Sequence, residues 1–392
     1  MLTSIKKLWN ENISAKEFMS IGLLGALVIV GIVCVLLYLY DPMQIFHKPY
    51  FRKLTFHQDM RIQAKGIIKH YDFDSYIIGT SMLENTSAKE AGEKLDGKWV
   101  NISLSGSIFE ERSVILEYLF ANKSPKSIIY TLEPYAMSDK IIENKEAIKR
   151  TAKVSYLYDD TEIDDIKTYM NYKFISCAFS WSNSKKCIGE SDDLETLLQW
   201  GLRDEYKRLF GGFENWIEYS RDDKGFELLN LEGKITHWDF VGGVEVDKQK
   251  QNLTKTLLRF IDKNPNTRFY LIIPTYSRFF WRFNIQNEKG VFADVLFYQN
   301  KEVFQWFVNE LEKYPNATLY GFDTLDYADN IANYKDSTHY NTDMNSMQLD
   351  AIANKTHIIT PQNVESYFEI MKQKILDYDV KSLVESVKEF LK

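Results

Sequence analysis

No charged residue interrupts the chain from Phe18 to Tyr40, between Glu17 and Asp41. As a helix, about 20 such residues cross a hydrocarbon core roughly 30 Å thick. The run is too long for a signal-peptide core and lacks a small-x-small cleavage site. Its closing Leu-Leu-Tyr-Leu-Tyr suits a membrane–water interface. The pattern predicts a transmembrane anchor over 18–40 behind a short tail, 1–17; a buried core helix is the competing reading. No later segment matches it in length, so the rest of the chain reads as water-soluble.

Beyond a juxtamembrane linker over 41–56, the pattern changes to short apolar runs alternating with helical periodicity. This is the signature of a mostly parallel sheet with crossover helices. The spacing predicts a helix from His57 to His70, a strand at Tyr76-Ile77-Ile78, a helix from Ser87 to Leu95 and a second strand from Trp99 to Leu104. A helix from Phe109 to Ala121 and a third strand from Ser127 to Leu132 follow. Residues 138–246 are polar, Asp-rich and mostly helical, and read as an insertion because strand patterning resumes afterwards. A helix from Asp247 to Asp262 precedes the fourth strand, Phe269 to Ile273, closed by Pro274. A helix from Phe292 to Leu311 leads to the fifth, Ala317 to Tyr320. Asn341 or Thr342 is placed to cap a helix running to Asn354, and two C-terminal helices complete a domain over 57–392.

Composition narrows the function classes. The 392 residues carry a net charge of −7, and no basic aromatic-laced stripe appears, which argues against a nucleic-acid surface. There is no Gly-rich phosphate loop, the six histidines form no His-x-x-x-His pair, and the cysteines lack zinc spacing, so neither metal nor cofactor is expected. Basic residues flank the anchor on both sides (Lys6, Lys7 and Lys16 before it; Lys48, Arg52 and Lys53 after it), so charge bias leaves its orientation open. A short tail before a signal-anchor usually stays inside while the large domain crosses. Cys177 and Cys187, ten apart, are compatible with a disulfide outside the cytosol and equally with two independent thiols.

In an open parallel sheet, ligands gather where strands end at their carboxyl edge. Gly79-Thr80-Ser81-Met82 follows the first strand, Ser103-Leu104-Ser105-Gly106-Ser107 the second, and Asp336-Ser337-Thr338-His339 comes after the fifth. A serine hydroxyl needs a base to become a nucleophile, and His339 is the candidate, with Asp336 three residues earlier to orient its ring. Ser81 at a strand-to-helix turn would offer its backbone N–H to a developing oxyanion. Gly106 would let a second N–H approach without Cβ interference. The order Ser…Asp…His also fits α/β-hydrolases, but their Gly-x-Ser-x-Gly elbow is absent. Tyr135, Tyr276, Trp281 and Tyr340 lie after strands or beside the histidine and are candidates for a sugar-stacking or acyl pocket, with core packing as the competing reading.

Ile77-Ile78-Gly79-Thr80-Ser81, the Gly106 turn and Asp336-x-x-His339 resemble the first, second and last blocks of the SGNH (GDSL-like) hydrolase superfamily, over most of residues 70–355. The resemblance implies a three-layer α/β/α domain with a five-stranded, flavodoxin-like sheet. In it, Ser81 is the nucleophile, Asp336 and His339 its partners, and Ser81 and Gly106 the oxyanion donors. An N-terminal anchor on such a domain is similar to proteins that serve membrane-bound O-acyltransferases in teichoic acid D-alanylation and polysaccharide O-acetylation. The expectation is an acyl (acetyl) transferase or esterase acting on a cell-envelope glycan outside a bacterial cytoplasmic membrane, with a membrane-bound O-acyltransferase as partner. The superfamily's third block supplies an Asn after the third strand, whereas this chain reads Leu132-Glu133-Pro134-Tyr135. Either the oxyanion hole lacks that donor or another group supplies it, and a non-catalytic SGNH-shaped binding or assembly subunit is the alternative.

Overall fold

Strands buried on both faces need helices on both sides, and their sequences become nearly continuous apolar runs. Ser75–Ile78 (β1) and Ser127–Thr131 (β3) are of this kind, with every residue buried. In the computed structural model, which describes residues 14–219, 243–282 and 293–392, these two pair in parallel at the centre of one sheet. Trp99–Asn101 (β2) lies outside β1, and Arg268–Ile273 (β4) and Ala317–Gly321 (β5) extend the sheet beyond β3, all parallel. The order is β2-β1-β3-β4-β5-β6.

The sixth strand corrects the expectation of five. Ile358–Ile359 (β6) pairs antiparallel with β5, Leu319 opposite Ile359 and Tyr320 opposite Ile358. Two residues are too few to show a period, so this edge had no sequence signal. The second strand is also shorter than its apolar run. Past Asn101 the chain keeps only alternate bonds to the first strand's end, Ile102 N–H to Ile77 and Leu104 N–H to Gly79.

Most helices form near their expected limits. Ser87 caps Ala88–Leu95 with its side chain on Glu90 N–H, and Asn341 caps Thr342–Asn354. The Asp247–Leu253 helix continues through a π-turn, Thr254–Leu258, into Arg259–Lys263. The 138–246 insertion is a set of short helices and turns, and Cys177 and Cys187 are joined in a disulfide within it. Its 220–242 portion, the tail to residue 13 and residue 292 at the start of an expected helix lie outside the described residues.

Ala15–Tyr40 is one 26-residue helix, capped by Ser14 and Glu17, long and apolar enough to cross a membrane. Phe18, Leu27 and Val35 are exposed, whereas Leu37 and Tyr40 are buried in the domain core. The segment read as a linker, 41–56, is packed structure. Its Met43, Ile45 and Phe56 are core residues, and Phe56 bridges Ser191 of the insertion.

Candidate active site

The first strand ends in Gly79 because nothing larger fits there. A Cβ would come within 2.8 Å of Thr131 Cγ2 and 2.9 Å of Leu83 Cδ1. Gly79 also ties the first two blocks together. Its N–H donates to Ser103 Oγ at 3.1 Å, and its carbonyl accepts from Leu104 N–H at 2.9 Å. Thr80 then caps the four-residue helix Ser81–Glu84, which places Ser81 at its first position.

His339 arrives from the opposite end of the sequence. The 334–340 loop closes as a short antiparallel bridge between Tyr334 and Tyr340, with Lys335 N–H donating to the His339 carbonyl at 3.0 Å. Inside that loop Asp336 Oδ1 accepts the backbone N–H groups of Thr338 (3.0 Å) and His339 (2.8 Å). Its Oδ2 lies 2.8 Å from His339 Nδ1. A carboxylate against Nδ1 holds the proton there and leaves Nε2 as the acceptor. Nε2 lies 2.8 Å from Ser81 Oγ, across 258 residues of sequence. The three residues singled out from sequence therefore meet with the geometry of a nucleophile, a base and its orienter.

Two anchors set this register. Tyr340 donates its hydroxyl to the Met82 carbonyl at 3.1 Å and accepts from Gln348 Nε2 at 3.0 Å, while Asn345 Nδ2 reaches the same carbonyl at 2.9 Å. Tyr334 donates to the Thr275 carbonyl at 3.0 Å. Desolvation would raise the Asp336 carboxyl, but the charges of His339 and Lys335 and the bonds they make outweigh it. They hold it well below the usual carboxylate range. Lys335 Nζ is 2.7 Å from Asp336 Oδ2.

Gly106 adopts φ +59°, a left-handed conformation that favours glycine. A Cβ there would meet no atom of the folded chain within 4 Å. The requirement is conformational. The turn is clamped from outside. Arg61 Nη2 donates to the Ser105 carbonyl at 2.8 Å, Arg150 Nη2 donates to the Gly106 carbonyl at 2.9 Å, and buried Glu111 binds both guanidinium groups. Burial would raise the Glu111 carboxyl, but the two arginines draw it below its ordinary value.

The proposed aromatic pocket is also corrected. Tyr276, Trp281 and Tyr340 are buried, Tyr276 and Trp281 against each other at 6.1 Å and Tyr340 in the bonds above. Half-buried Tyr135 packs on Ile108, Ile141 and Ala147. The cleft over Ser81 and His339, about 510 Å³, is instead walled by Trp200, Arg203 and Tyr206 of the insertion, by Lys335, and by residues 58–61. Trp200 donates its indole N–H to the Ser81 carbonyl at 3.0 Å and stands edge-on to the His339 ring at 5.6 Å. Lys335 Nζ lies over the Trp200 ring at 4.9 Å. No periodicity marks Trp200 or Arg203, and only Lys335 had a signal, its place beside Asp336.

Two carboxyls near the site are perturbed, Glu84 on the cleft lining and Glu133 at the end of the third strand. Burial pushes Glu84 up to about 7, against the pull of Arg203 and Arg61. Burial pushes Glu133, at the third-block position, up to about 7, with Arg112 opposing and Glu84 adding to the rise. Glu133 Oε1 has no hydrogen-bond partner. Among the described residues, no group of three His, Cys, Asp or Glu side chains is arranged to hold a metal ion. No family model matches the chain, and no curated protein matches it in sequence.

Proposed function

We propose that the protein is a membrane-anchored serine acyl (acetyl) transferase or esterase, built on a three-layer SGNH-like domain and acting on a cell-envelope glycan. The observation that carries this reading is the Ser81–His339–Asp336 relay, with 2.8 Å at each link. Ser81 Oγ attacks the acyl carbonyl while His339 Nε2 takes its proton, and Asp336 stabilises the resulting imidazolium. The new oxyanion faces the Ser81 backbone N–H at the start of the short helix and the Gly106 turn. Collapse expels the donor alcohol, which leaves with the proton from His339. A sugar hydroxyl or water, deprotonated in turn by His339, then releases the acyl group. The edge-on Trp200 and neighbouring Tyr206 suit a sugar ring at the cleft mouth.

The anchor helix supports a place at a membrane, which the family resemblance makes a bacterial cytoplasmic one, and the Cys177–Cys187 disulfide supports an outward-facing domain. The family resemblance adds a membrane-bound O-acyltransferase as the partner that delivers the acyl group. One observation favours a binding or assembly subunit instead: Glu133 stands where the resemblance calls for an amide donor.

A serine-directed fluorophosphonate probe on the full-length protein in detergent separates the two. Labelling of wild type that is lost in Ser81→Ala is the expected result. Wild type that neither labels nor hydrolyses a simple acetyl ester favours the binding subunit. Protease added to spheroplasts should digest the domain; protection would reverse the orientation.

A further inference from the structure

The anchor helix is longer than a membrane requires. Its charge-free stretch from Phe18 to Tyr40 spans about 35 Å at 1.5 Å per residue, against a hydrocarbon core of roughly 30 Å. The surplus is the stretch the domain covers: Val33 and Leu36 are partly buried against the core, and Leu37 and Tyr40 are buried in it. The exit of the helix is rigid. Asp41 caps it and accepts the N–H groups of Ile45 (2.9 Å), Phe46 (2.9 Å) and His47 (2.8 Å) and the Tyr169 hydroxyl (2.6 Å). Arg52 Nε donates to the Tyr40 carbonyl at 2.9 Å.

Around that exit the domain exposes apolar side chains. The chain folds back so that His47 Nε2 bonds the Tyr38 carbonyl at 2.7 Å and Tyr50 stacks on His47 at 4.1 Å. Tyr50 and its neighbour Phe51, 81% exposed, therefore lie level with the last turn of the anchor. The Tyr172–Phe179 helix packs against the anchor as well. Phe174, Cys177 and Ala178 face the core with Ile175 packed partly against it, while Tyr172 (88% exposed) and Phe179 (64% exposed) stand outward at its two ends. The disulfide fixes this helix, and Lys53 N–H reaches Asn183 Oδ1 at 3.2 Å. The two stretches are rich in cations in a chain of net −7: residues 42–58 hold Lys48, Arg52 and Lys53, and residues 166–189 hold Lys173, Lys185 and Lys186 besides Lys167, which pairs with Asp164 at 2.6 Å.

We propose that these two segments form an interfacial collar, with Phe51, Tyr172 and Phe179 in the headgroup layer and the lysines on anionic lipid phosphates. The occupant is the bilayer because the patch is continuous with the spanning helix, lies beside its last turns, and sets exposed aromatics among the lysines Lys48, Lys53, Lys173, Lys185 and Lys186. The inference rests on the membrane reading above. Its consequence is that the domain cannot swing on its tether, so Ser81 is held at one height and orientation over the membrane.

Spin labels on the full chain in a Cys34→Ser background, reconstituted in nanodiscs containing phosphatidylglycerol, test this. Labels are placed singly by Phe51→Cys, Tyr172→Cys and Phe179→Cys, with Val30→Cys as the anchor control and Glu385→Cys on the terminal helix as the aqueous control. The ratio of collision with oxygen to collision with a water-soluble nickel chelate should exceed one at 51, 172 and 179, and fall below one at 385. Aqueous ratios at those three sites, with Val30 lipid-embedded, overturn the collar and leave the anchor standing. An aqueous Val30 overturns the membrane reading itself. Poor access to both reagents at the three sites means that protein covers them, which also overturns the collar.

Discussion

Glu133→Gln should stabilise the protein at alkaline pH and leave it unchanged at acidic pH. The Glu133 carboxyl is pushed from its ordinary value of 4.5 to about 7, chiefly by burial, and that figure already includes the attraction of Arg112. A carboxyl raised in the folded state binds its proton more tightly there than in the unfolded chain. Below pH 4.5 both states are protonated and the site costs nothing. Between 4.5 and about 7 the unfolded chain ionises first, so stability falls as pH rises, and above 7 the loss is complete. At 1.36 kcal/mol per pH unit the full loss is about 3 kcal/mol. The amide of Gln has nearly the same shape and no charge, so it removes this cost. Urea unfolding of the full chain in detergent, followed by tryptophan fluorescence, should show the variant up to about 3 kcal/mol more stable than wild type at pH 8 and equal to it at pH 4.5. A difference of the same size at both pH values, or a variant that loses stability as pH rises, would refute the assignment of Glu133 as a buried carboxyl protonated near neutrality.

Three further outcomes are expected. Asp336→Asn removes the charge that orients and supports His339 while keeping the shape, so the fluorophosphonate labelling rate should drop by about three to four orders of magnitude, with stability also lowered because the carboxylate's ion pairs are lost; a drop below tenfold would separate Asp336 from the relay. Gly79→Ala forces a Cβ to within 2.8 Å of Thr131 and should cost about 1–3 kcal/mol in urea unfolding, with labelling slowed because Ser81 is two residues on. Cys177→Ser with Cys187→Ser opens a loop of sequence separation 10 and should cost about 2–3 kcal/mol, read as a lower thermal midpoint.

The sequence carried most of the sheet because β1 and β3 are buried on both faces, and such strands must be apolar throughout. It carried the relay for a related reason: a strand end, a glycine and a short turn are local features, and the parallel topology then brings separate strand ends to one edge. What it could not carry depends on long-range packing. Tyr276, Trp281 and Tyr340 stand near strand ends exactly as pocket residues would, yet in the folded chain they fill space behind the site. The cleft wall comes instead from Trp200 and Arg203, whose local sequence has no period and no motif. β6 is two residues long, and the burial of Asp41 and Tyr40 follows only once the insertion is in place.

The insertion thus joins features that local patterning leaves separate. At one end it holds Ser81, through Trp200 on the Ser81 carbonyl and Gly201 N–H on Asn85 Oδ1 at 2.8 Å. At the other it grips the anchor, through Tyr169 on Asp41 and Ser182 on the Tyr40 hydroxyl. Between these ends it is tied to the sheet-covering helix Met60–His70 by the fully buried Lys65–Asp165 ion pair. Breaking a buried pair by removing one partner strands the other charge and typically costs about 3–5 kcal/mol. Asp165→Asn should therefore loosen both ends together: the spin label at Phe179 should gain mobility and fluorophosphonate labelling of Ser81 should slow. If labelling slows while the Phe179 label stays rigid, the insertion is two independent pieces and not one brace between membrane and cleft.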